Sequence, residues 1–305
     1  MPPSSTLFIK RDDLTHGTGA GNKIRKLEFL LADALAQGAT DVITCGGAQS
    51  NHCRSTAILA REVGLQPHLV LRTDSTAVSE LPSTGNLLLD QVLGSCLHLV
   101  PKRTAYEPGL RNAMAAIQAE LASKGRRGYA IPVGGSNLVG LFGYLEGFAE
   151  LHPQCEAAGV SDIVVTCGSG GTACGLALAN RLLGSPYRIW AVAICDDNRY
   201  FYQHVQETLD ALALPWRARD LLTVLEGFKG KGYGEYGPEH VDFIRDVAVR
   251  SGVVLDPTYT GKGAFALRTM LWSLRVLQGA KVTFVHTGGV FGFMDGRISM
   301  GDRAC

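Results

Sequence analysis

The feature that most limits how this chain can fold is an alternation repeated from end to end. A short β-branched run gives way to a glycine or polar turn, and the turn to an amphipathic helix. Strands are expected at 7–10, 41–45, 68–72, 98–101, 129–133, 163–166, 188–195, 253–255 and 282–286. Runs such as VITC and IVVTC are mostly apolar and do not alternate with polar residues. That suits strands covered on both faces, and strands of this kind build parallel sheets inside α/β domains. Past Lys23, the residues Ile24, Leu27, Leu31, Ala34 and Leu35 fall on one face of a helix. With no clean linker and no short repeat in the chain, a second domain is expected to be inserted, not appended.

Composition narrows the function classes. The 305 residues are 46% hydrophobic and 19% charged, with a formal net charge of +1. A balance so near neutral gives no reason to expect nucleic acid or an anionic membrane as partner. No apolar run approaches the roughly 18 residues that span a bilayer. The start, MPPSSTLFIKRDD, lacks the charged and apolar regions of a secretory leader, so a cytoplasmic protein is expected. The cysteines at 45, 53, 96, 155, 167, 174, 195 and 305 form no C-x-x-C pair. They are read as reduced thiols, with neither a disulfide framework nor a metal site.

In parallel α/β proteins ligands gather where strands end and helices begin. The clearest exit is DIVVTCGSGGT, in which Gly168, Ser169, Gly170, Gly171 and Thr172 follow a buried strand. Glycines let the backbone close round an anion while helix N-terminal amides point at it. A phosphate cradle is the favoured reading, against a tight turn that merely needs small residues. The same glycines with Ala173 also fit G-x-G-x-x-A, with Asp196 and Asp197 near the end of the next strand. An NAD-dependent oxidoreductase using Gly168, Gly170 and Ala173 is therefore the rival from another class. At a second exit Ser50, Asn51 and His52 follow a Gly-Gly turn. Such a row suits a carboxylate, although Ser50 or Asn51 could equally be an ordinary helix N-cap. DPTYTGK, with Tyr259 and Thr260, and HTGG, with Thr287, are two more exits. The loop 227–237 carries Tyr233 and Tyr236 among five glycines and reads as a flap or a plain surface loop. Lys23 opens a helix after a glycine-rich loop. Taken alone it reads as a solvated lysine, with Lys26 one turn further on.

A lysine in a glycine pocket, a phosphate cradle without a P-loop and polar strand exits together suggest pyridoxal phosphate, which needs a Schiff-base lysine and a phosphate site. At this point the sequence resembles a known family. The segments IKRDDLTHGTGAGNKIRKLEFLLADAL, CGGAQSNHCRSTA, GSGGT, LDPTYTGKGAFAL and HTGG are similar to those of D-cysteine desulfhydrases and 1-aminocyclopropane-1-carboxylate deaminases. They run in family order from about Leu7 to Gly289. The resemblance implies a pyridoxal-phosphate fold-type-II architecture, tryptophan synthase β-like, with two three-layer α/β/α domains and mostly parallel sheets. The large cofactor-binding domain would hold 1–36 and 136–305, and a smaller α/β domain, 37–135, would be inserted in it.

The resemblance also implies roles. Lys23 would bond the cofactor's aldehyde and later move the substrate's Cα proton. Asn51 would bond the ring oxygen, and Ser50, Asn51 and His52 would receive the substrate carboxylate. Gly168–Thr172 would hold the phosphate, Thr287 would face the ring nitrogen, and Tyr233 and Tyr259 would line the substrate side. A neutral threonine at the ring nitrogen makes a weaker electron sink than an aspartate, yet one sufficient to expel sulfide. Thr260 stands where the cyclopropane deaminases carry a glutamate, which favours β-elimination from D-cysteine to pyruvate, ammonia and sulfide. The alternatives are the deaminase reaction, a sulfo-lyase on a cysteate-like substrate, or a non-catalytic binding protein. A homodimer acting on a small amino acid is implied. The loop GKGYGEYG and the segment VFGFMDG depart from the family's usual GPGYG and Leu-Phe-aromatic runs.

Overall fold

The structure is a computed structural model that describes residues 5–273 and 276–298. Its strands are β1 (Thr6–Arg11), β2 (Asp41–Gly47), β3 (Gln66–Thr73), β4 (Cys96–Pro101), β5 (Gly128–Ala130), β6 (Asp162–Cys167), β7 (Arg188–Ala193), β8 (Thr223–Leu225) and β9 (Lys281–His286). The helices are α1 (Lys23–Ala36), α2 (Asn51–Glu62), α3 (Gly85–Val92), α4 (Arg111–Ser123), α5 (Leu138–Ala158), α6 (Gly171–Leu182), α7 (Asn198–Ala211), α8 (Ala218–Leu221), α9 (Pro238–Ser251) and α10 (Thr260–Trp272). Two compact units result. The first runs to Lys26 and resumes over Ser136–Gly289, and the second holds Leu27–Gly135 with the stretch from Val290. The division falls inside α1, ahead of the expected border at 36/37.

The first unit is built on a five-stranded sheet in the order β1-β9-β6-β7-β8, with every described pairing parallel. The second carries a four-stranded parallel sheet, β4-β3-β2-β5. Both orders reverse direction at one strand. In the first, the chain steps from β6 outward to β7 and β8, then returns to the other side as β9. In the second, it steps from β2 to β3 and β4, then returns as β5. A crevice opens beyond the carboxyl end of a strand where the order reverses, because the flanking connections leave in opposite directions. Gly168–Thr172 follows β6, and the Ser50–His52 row follows β2.

Burial accounts for the strand pattern. In the second unit Leu69 and Leu71 pack with Cys53, Ala57 and Leu87 of α2 and α3. Val70, between them, packs on the other face with Met114, Ile117 and Leu121 of α4. Successive strand side chains point to opposite faces, so helices on both sides require an unbroken apolar run. The first unit's core joins Tyr144, Phe148 and Leu151 of α5 to Ile163 and Val165 of β6 and to the small residues of α6.

Several local expectations change. Val253–Leu255 forms no strand, because the Val254 carbonyl is taken by Nε2 of His286 at 3.0 Å instead of a neighbouring strand. Thr223–Leu225 pairs with β7, although three residues give little periodicity to read. On α1 the buried face is Leu27, Leu30, Leu31 and Ala34, while Leu35 is exposed. The cysteines at 45, 53, 155, 167 and 174 are buried and unbridged, and Cys305 lies outside the described residues.

The first turn of α1 is seated from two sides. Asp12 is buried and accepts from Nη2 of Arg25 at 2.9 Å and from the Tyr144 hydroxyl at 2.6 Å. Beneath it, α5 presents Gly143, where an added Cβ would lie 2.2 Å from the carbonyl oxygen of Arg25 and 2.6 Å from the amide of Lys26. These atoms are backbone and have little freedom to give way. Gly143→Ala is therefore expected to cost about 1–3 kcal/mol through overpacking. Thermal unfolding of the variant measures this, and an unchanged melting temperature would show the contact to be slack.

Candidate active site

β6 delivers the chain into Gly168–Thr172, and α6 begins at Gly171 with Gly170 as its cap. Each glycine here is required by something that approaches it. A Cβ on Gly168 would stand 2.9 Å from Cε1 of Tyr259. One on Gly170, whose φ is +90°, would stand 2.5 Å from Cδ2 of His204. One on Gly171 would stand 2.6 Å from the Ser136 hydroxyl and 2.8 Å from Nζ of Lys26. Ser136 and Ser169 share a hydrogen bond of 2.7 Å, and the Asn22 amide donates to the Thr172 hydroxyl at 2.9 Å. The loop thus offers helix N-terminal amides, hydroxyls and an ammonium, the donor set of a phosphate site.

Lys23 and Lys26 stand one helical turn apart at the start of α1. Lys26 is fully buried, and its pKa is pushed well down by burial first and by the charge of Lys23 second. Burial lowers Lys23 to about 8, opposed by the thiols of Cys167 and Cys195. Those thiols are weak acids that burial pushes up in turn, so they supply no counter-charge to either lysine. A buried lysine beside the N-terminus of α6 favours an anion, whose charge would restore the proton that burial disfavours. Composition-level reading missed Lys26 as part of the cradle, because only the fold turns its stem toward Gly171. Its i, i+3 spacing from Lys23 was the available signal.

Thr287 and Tyr259 lie on the same unit as these lysines. The Thr287 carbonyl accepts from the amide of Asn22 at 3.1 Å, which ties the HTGG turn to the residue before Lys23. Its side chain is buried, and its hydroxyl makes no bond among the described residues. Tyr259 lies against Gly168, and its hydroxyl meets that of Tyr233 at 2.6 Å. Burial, and then Tyr233, raise the Tyr259 pKa well above 10, so it is a neutral hydroxyl at neutral pH. Thr260 does not face outward with them. It is fully buried, its hydroxyl donating to Oδ1 of Asp256 at 2.8 Å and accepting from the Asp256 amide at 2.8 Å. The Asp256 carboxylate also takes the amides of Thr258, Tyr259 and Thr260, which fixes the turn that carries Tyr259.

In the second unit Ser50 is the N-cap of α2, accepting from the amide of Cys53 at 3.2 Å. The capping geometry depends on Gly46, where a Cβ would strike the Ser50 hydroxyl at 2.6 Å. Capping uses a lone pair of the oxygen and leaves its proton to donate. The His52 ring is buried with Nε2 on the Thr44 hydroxyl at 2.9 Å, so its imidazole serves the fold. Oδ1 of Asn51 accepts from the buried Arg54 at 3.2 Å, which leaves its NH₂ as the outward donor. Arg54 in turn bonds Asn86 at 2.7 Å and lies over the Phe291 ring. Asn86 was not legible as part of this row, since its bond to Arg54 joins residues thirty-two positions apart, whereas Arg54 lies one helical turn from Asn51.

A family model described as pyridoxal-phosphate dependent enzyme matches residues 3–288. The chain belongs to that family. It is 41% identical over 301 residues to the mitochondrial bifunctional D-cysteine desulfhydrase/1-aminocyclopropane-1-carboxylate deaminase of Arabidopsis thaliana, covering 97% of this chain and 75% of the relative. It is 36% identical over 287 residues to the D-cysteine desulfhydrase of Klebsiella pneumoniae, covering 93% and 86%. Among solved structures, one described as an ACC deaminase homologue aligns with a TM-score of 0.83 at 36% identity, over 94% of this chain and 86% of the other. O-ureido-L-serine synthase, at 18% identity and a TM-score of 0.67, shares the fold. This pyridoxal-phosphate dependent enzyme is thus a lyase of the tryptophan synthase β-like architecture. The nicotinamide reading falls with the family match. Of its two candidate ribose-binding acids, Asp197 has another duty, capping α7 by accepting from the amide of Tyr200 at 2.8 Å. Among the described residues no helix is long and apolar enough to cross a membrane, and no three His, Cys, Asp or Glu residues gather to hold a metal.

The residues present fit the cofactor. Glycines whose Cβ atoms would fill the cradle, the Lys26 ammonium and the α6 N-terminus suit its phosphate, and a lysine lowered toward neutrality suits its aldehyde. In cofactor-free enzyme, modification of Lys23 by an amine-directed reagent should titrate with a midpoint near 8 instead of the ordinary 10.5. The unfolded chain binds this proton more tightly, so folding stability should rise as the pH climbs from about 8 toward 10.5. Lys23→Met should reduce that rise, to which the buried Lys26 also contributes, and a Lys23 midpoint near 10.5 would overturn the assignment.

Proposed function

We propose that this enzyme eliminates the β substituent of D-cysteine, converting it with water to pyruvate, ammonia and hydrogen sulfide. The observation that carries the choice of substrate is Thr260. The position after Tyr259 offers no carboxylate, and its hydroxyl is spent on Asp256. The name of the Klebsiella pneumoniae relative agrees with this reading.

Pyridoxal phosphate, when bound, supplies the electron sink that makes an amino acid's Cα proton acidic. The chain's residues would do the rest. Lys23 would bond the cofactor and, as a base near neutrality, take the proton from Cα of the substrate. Gly168, Ser169, Gly170, Gly171 and Thr172 would hold the phosphate with Lys26 balancing its charge. Thr287 would meet the ring nitrogen with its unengaged hydroxyl, and Asn51 would donate from its NH₂ to the ring oxygen. Ser50, Asn51 and the N-terminal amide of His52 would receive the substrate carboxylate. Tyr259, a neutral hydroxyl, and Tyr233 would line the side where sulfide leaves, and Tyr259 would be placed to give it a proton. Thr260 enters as the residue that braces Tyr259 from behind, in place of direct substrate contact. A homodimer, implied by the family resemblance, and a cytoplasmic location complete the proposal.

Purified enzyme should be yellow, and borohydride should fix the cofactor on Lys23. Lys23→Ala should lose turnover by a factor on the order of 10³ or more. Pyruvate and sulfide are expected from D-cysteine, measured beside L-cysteine and beside 2-oxobutyrate from 1-aminocyclopropane-1-carboxylate. The bifunctional name of the Arabidopsis thaliana relative makes the cyclopropane substrate the second reading. Product from that substrate alone would sink the first. Gly171→Ala, which crowds Ser136 and Lys26, should weaken cofactor binding by roughly 10–100-fold, an effect of about 1.4–2.8 kcal/mol read by absorbance titration. Unchanged affinity would remove Gly171 from the phosphate site.

A further inference from the structure

Lys262 is a buried cation that the proposed chemistry does not use. It sits in the first turn of α10, three residues after Tyr259, with its side chain fully buried. Its ammonium donates to the carbonyl of Lys229 at 2.7 Å and to that of Gly232 at 2.9 Å. Burial is the largest influence on it and lowers its pKa, opposed by Cys195, Glu235 and Asp256, while Lys229 adds to the lowering. An ammonium taken out of water is costly unless its donors are satisfied. Here two of its three go to one loop.

That loop, 227–237, has neither helix nor strand and contains five glycines, so its backbone has little stiffness of its own. The two carbonyls that Lys262 holds stand just before Tyr233. The next tie is Tyr233 itself, whose hydroxyl meets Tyr259 at 2.6 Å. The segment Tyr259–Lys262 therefore grips the loop at two points, through a ring at one end and a cation at the other. A lone tyrosine pair at the tip of a glycine-rich loop would pay the loop's whole ordering entropy for one hydrogen bond. With the backbone clamped on either side of residue 231, most of that ordering is already done.

We propose that Lys262 is a positioning residue, whose ammonium clamps the carbonyls of Lys229 and Gly232 and thereby sets the Tyr233 hydroxyl against Tyr259. The clamp is a property of the loop and α10 alone. Its effect on turnover rests on the role given above to the two tyrosines.

The test uses holoenzyme and two readouts. In Lys262→Met, which removes the donors and keeps the stem, amide exchange across 229–235 should accelerate by about tenfold or more while the β6 and α6 peptides stay as in wild type. If the methionine variant does not fold, Lys262→Gln carries the same measurement, since it keeps two N–H donors on a shorter stem; loop exchange about threefold above wild type is then expected. Loop exchange equal to wild type in either folded variant overturns the proposal. The kinetic arm is a double-mutant cycle with Tyr233→Phe on D-cysteine. Each single variant should lower kcat/KM by about tenfold, and the double variant should be no worse than Tyr233→Phe, because both remove the same placed hydroxyl. Losses that multiply would mean Lys262 acts otherwise and would overturn the positioning role. Faster loop exchange with turnover unchanged in both single variants would uphold the clamp and remove the tyrosines from the chemistry, whereas turnover unchanged in Lys262→Met but lowered in Tyr233→Phe would overturn the positioning role.

Discussion

The carboxylate of Asp12 is the contact on which the lysine-bearing helix depends. It lies just past β1 and is shared by Arg25 and Tyr144, so one buried anion joins the strand exit, the first turn of α1 and the long helix α5. Breaking such a pair from one side leaves a buried charge without compensation, typically at about 3–5 kcal/mol. Gly143 completes the seat by admitting the α1 backbone where any side chain would exclude it. Lys23 and Lys26 cannot shift without disturbing this junction. A lysine meant to bond a cofactor must be held by its backbone, and here the backbone is held by groups with no part in the chemistry.

The positive charge gathered at that junction explains the rest of the first unit's site. Two lysines at the mouth of α1 and the N-terminus of α6 face the same glycine loop, with protonated thiols as their acidic neighbours. Such an arrangement raises the energy of the cofactor-free protein and lowers that of a phosphate complex. It also brings one lysine to about 8, where it can serve as nucleophile and base near neutral pH. Binding and reactivity thus come from one cause, the burial of charge beside helix amides. Tyr259 and Thr287 add neutral hydroxyls, so this part of the cluster that would meet the substrate is polar without carrying further charge.

Much of this could be read from the chain. Apolar runs ending in glycine identified the parallel sheets, and the glycine and hydroxyl clusters fell where the strand order reverses. Other features were out of reach for a physical reason. Lys26 and Lys23 look alike in local pattern, and only the fold shows the Lys26 stem running to Gly171. Thr260 reads as a substrate-side residue beside Tyr259, yet one position along the turn reverses its direction and buries it on Asp256. His52 belongs to a row of donors, but its ring turns inward to Thr44. Periodicity reports which face a residue occupies within a helix or strand, and it is silent in the turns where these residues stand.

Local pattern and ordered motifs by themselves determined the α/β class, the cofactor and the family, because each depends on glycines, strand exits and a lysine whose types and order the chain spells out. The tertiary structure alone decided which donors are engaged and which remain available. It assigned Asn51's amide orientation through Arg54, braced Tyr259 through Asp256, and placed Lys262 under a loop some thirty residues upstream. The first two outcomes rest on contacts within one turn, and the third on a contact between distant segments. In each case side-chain direction, which the pattern of residue types does not report, is fixed only in the folded chain.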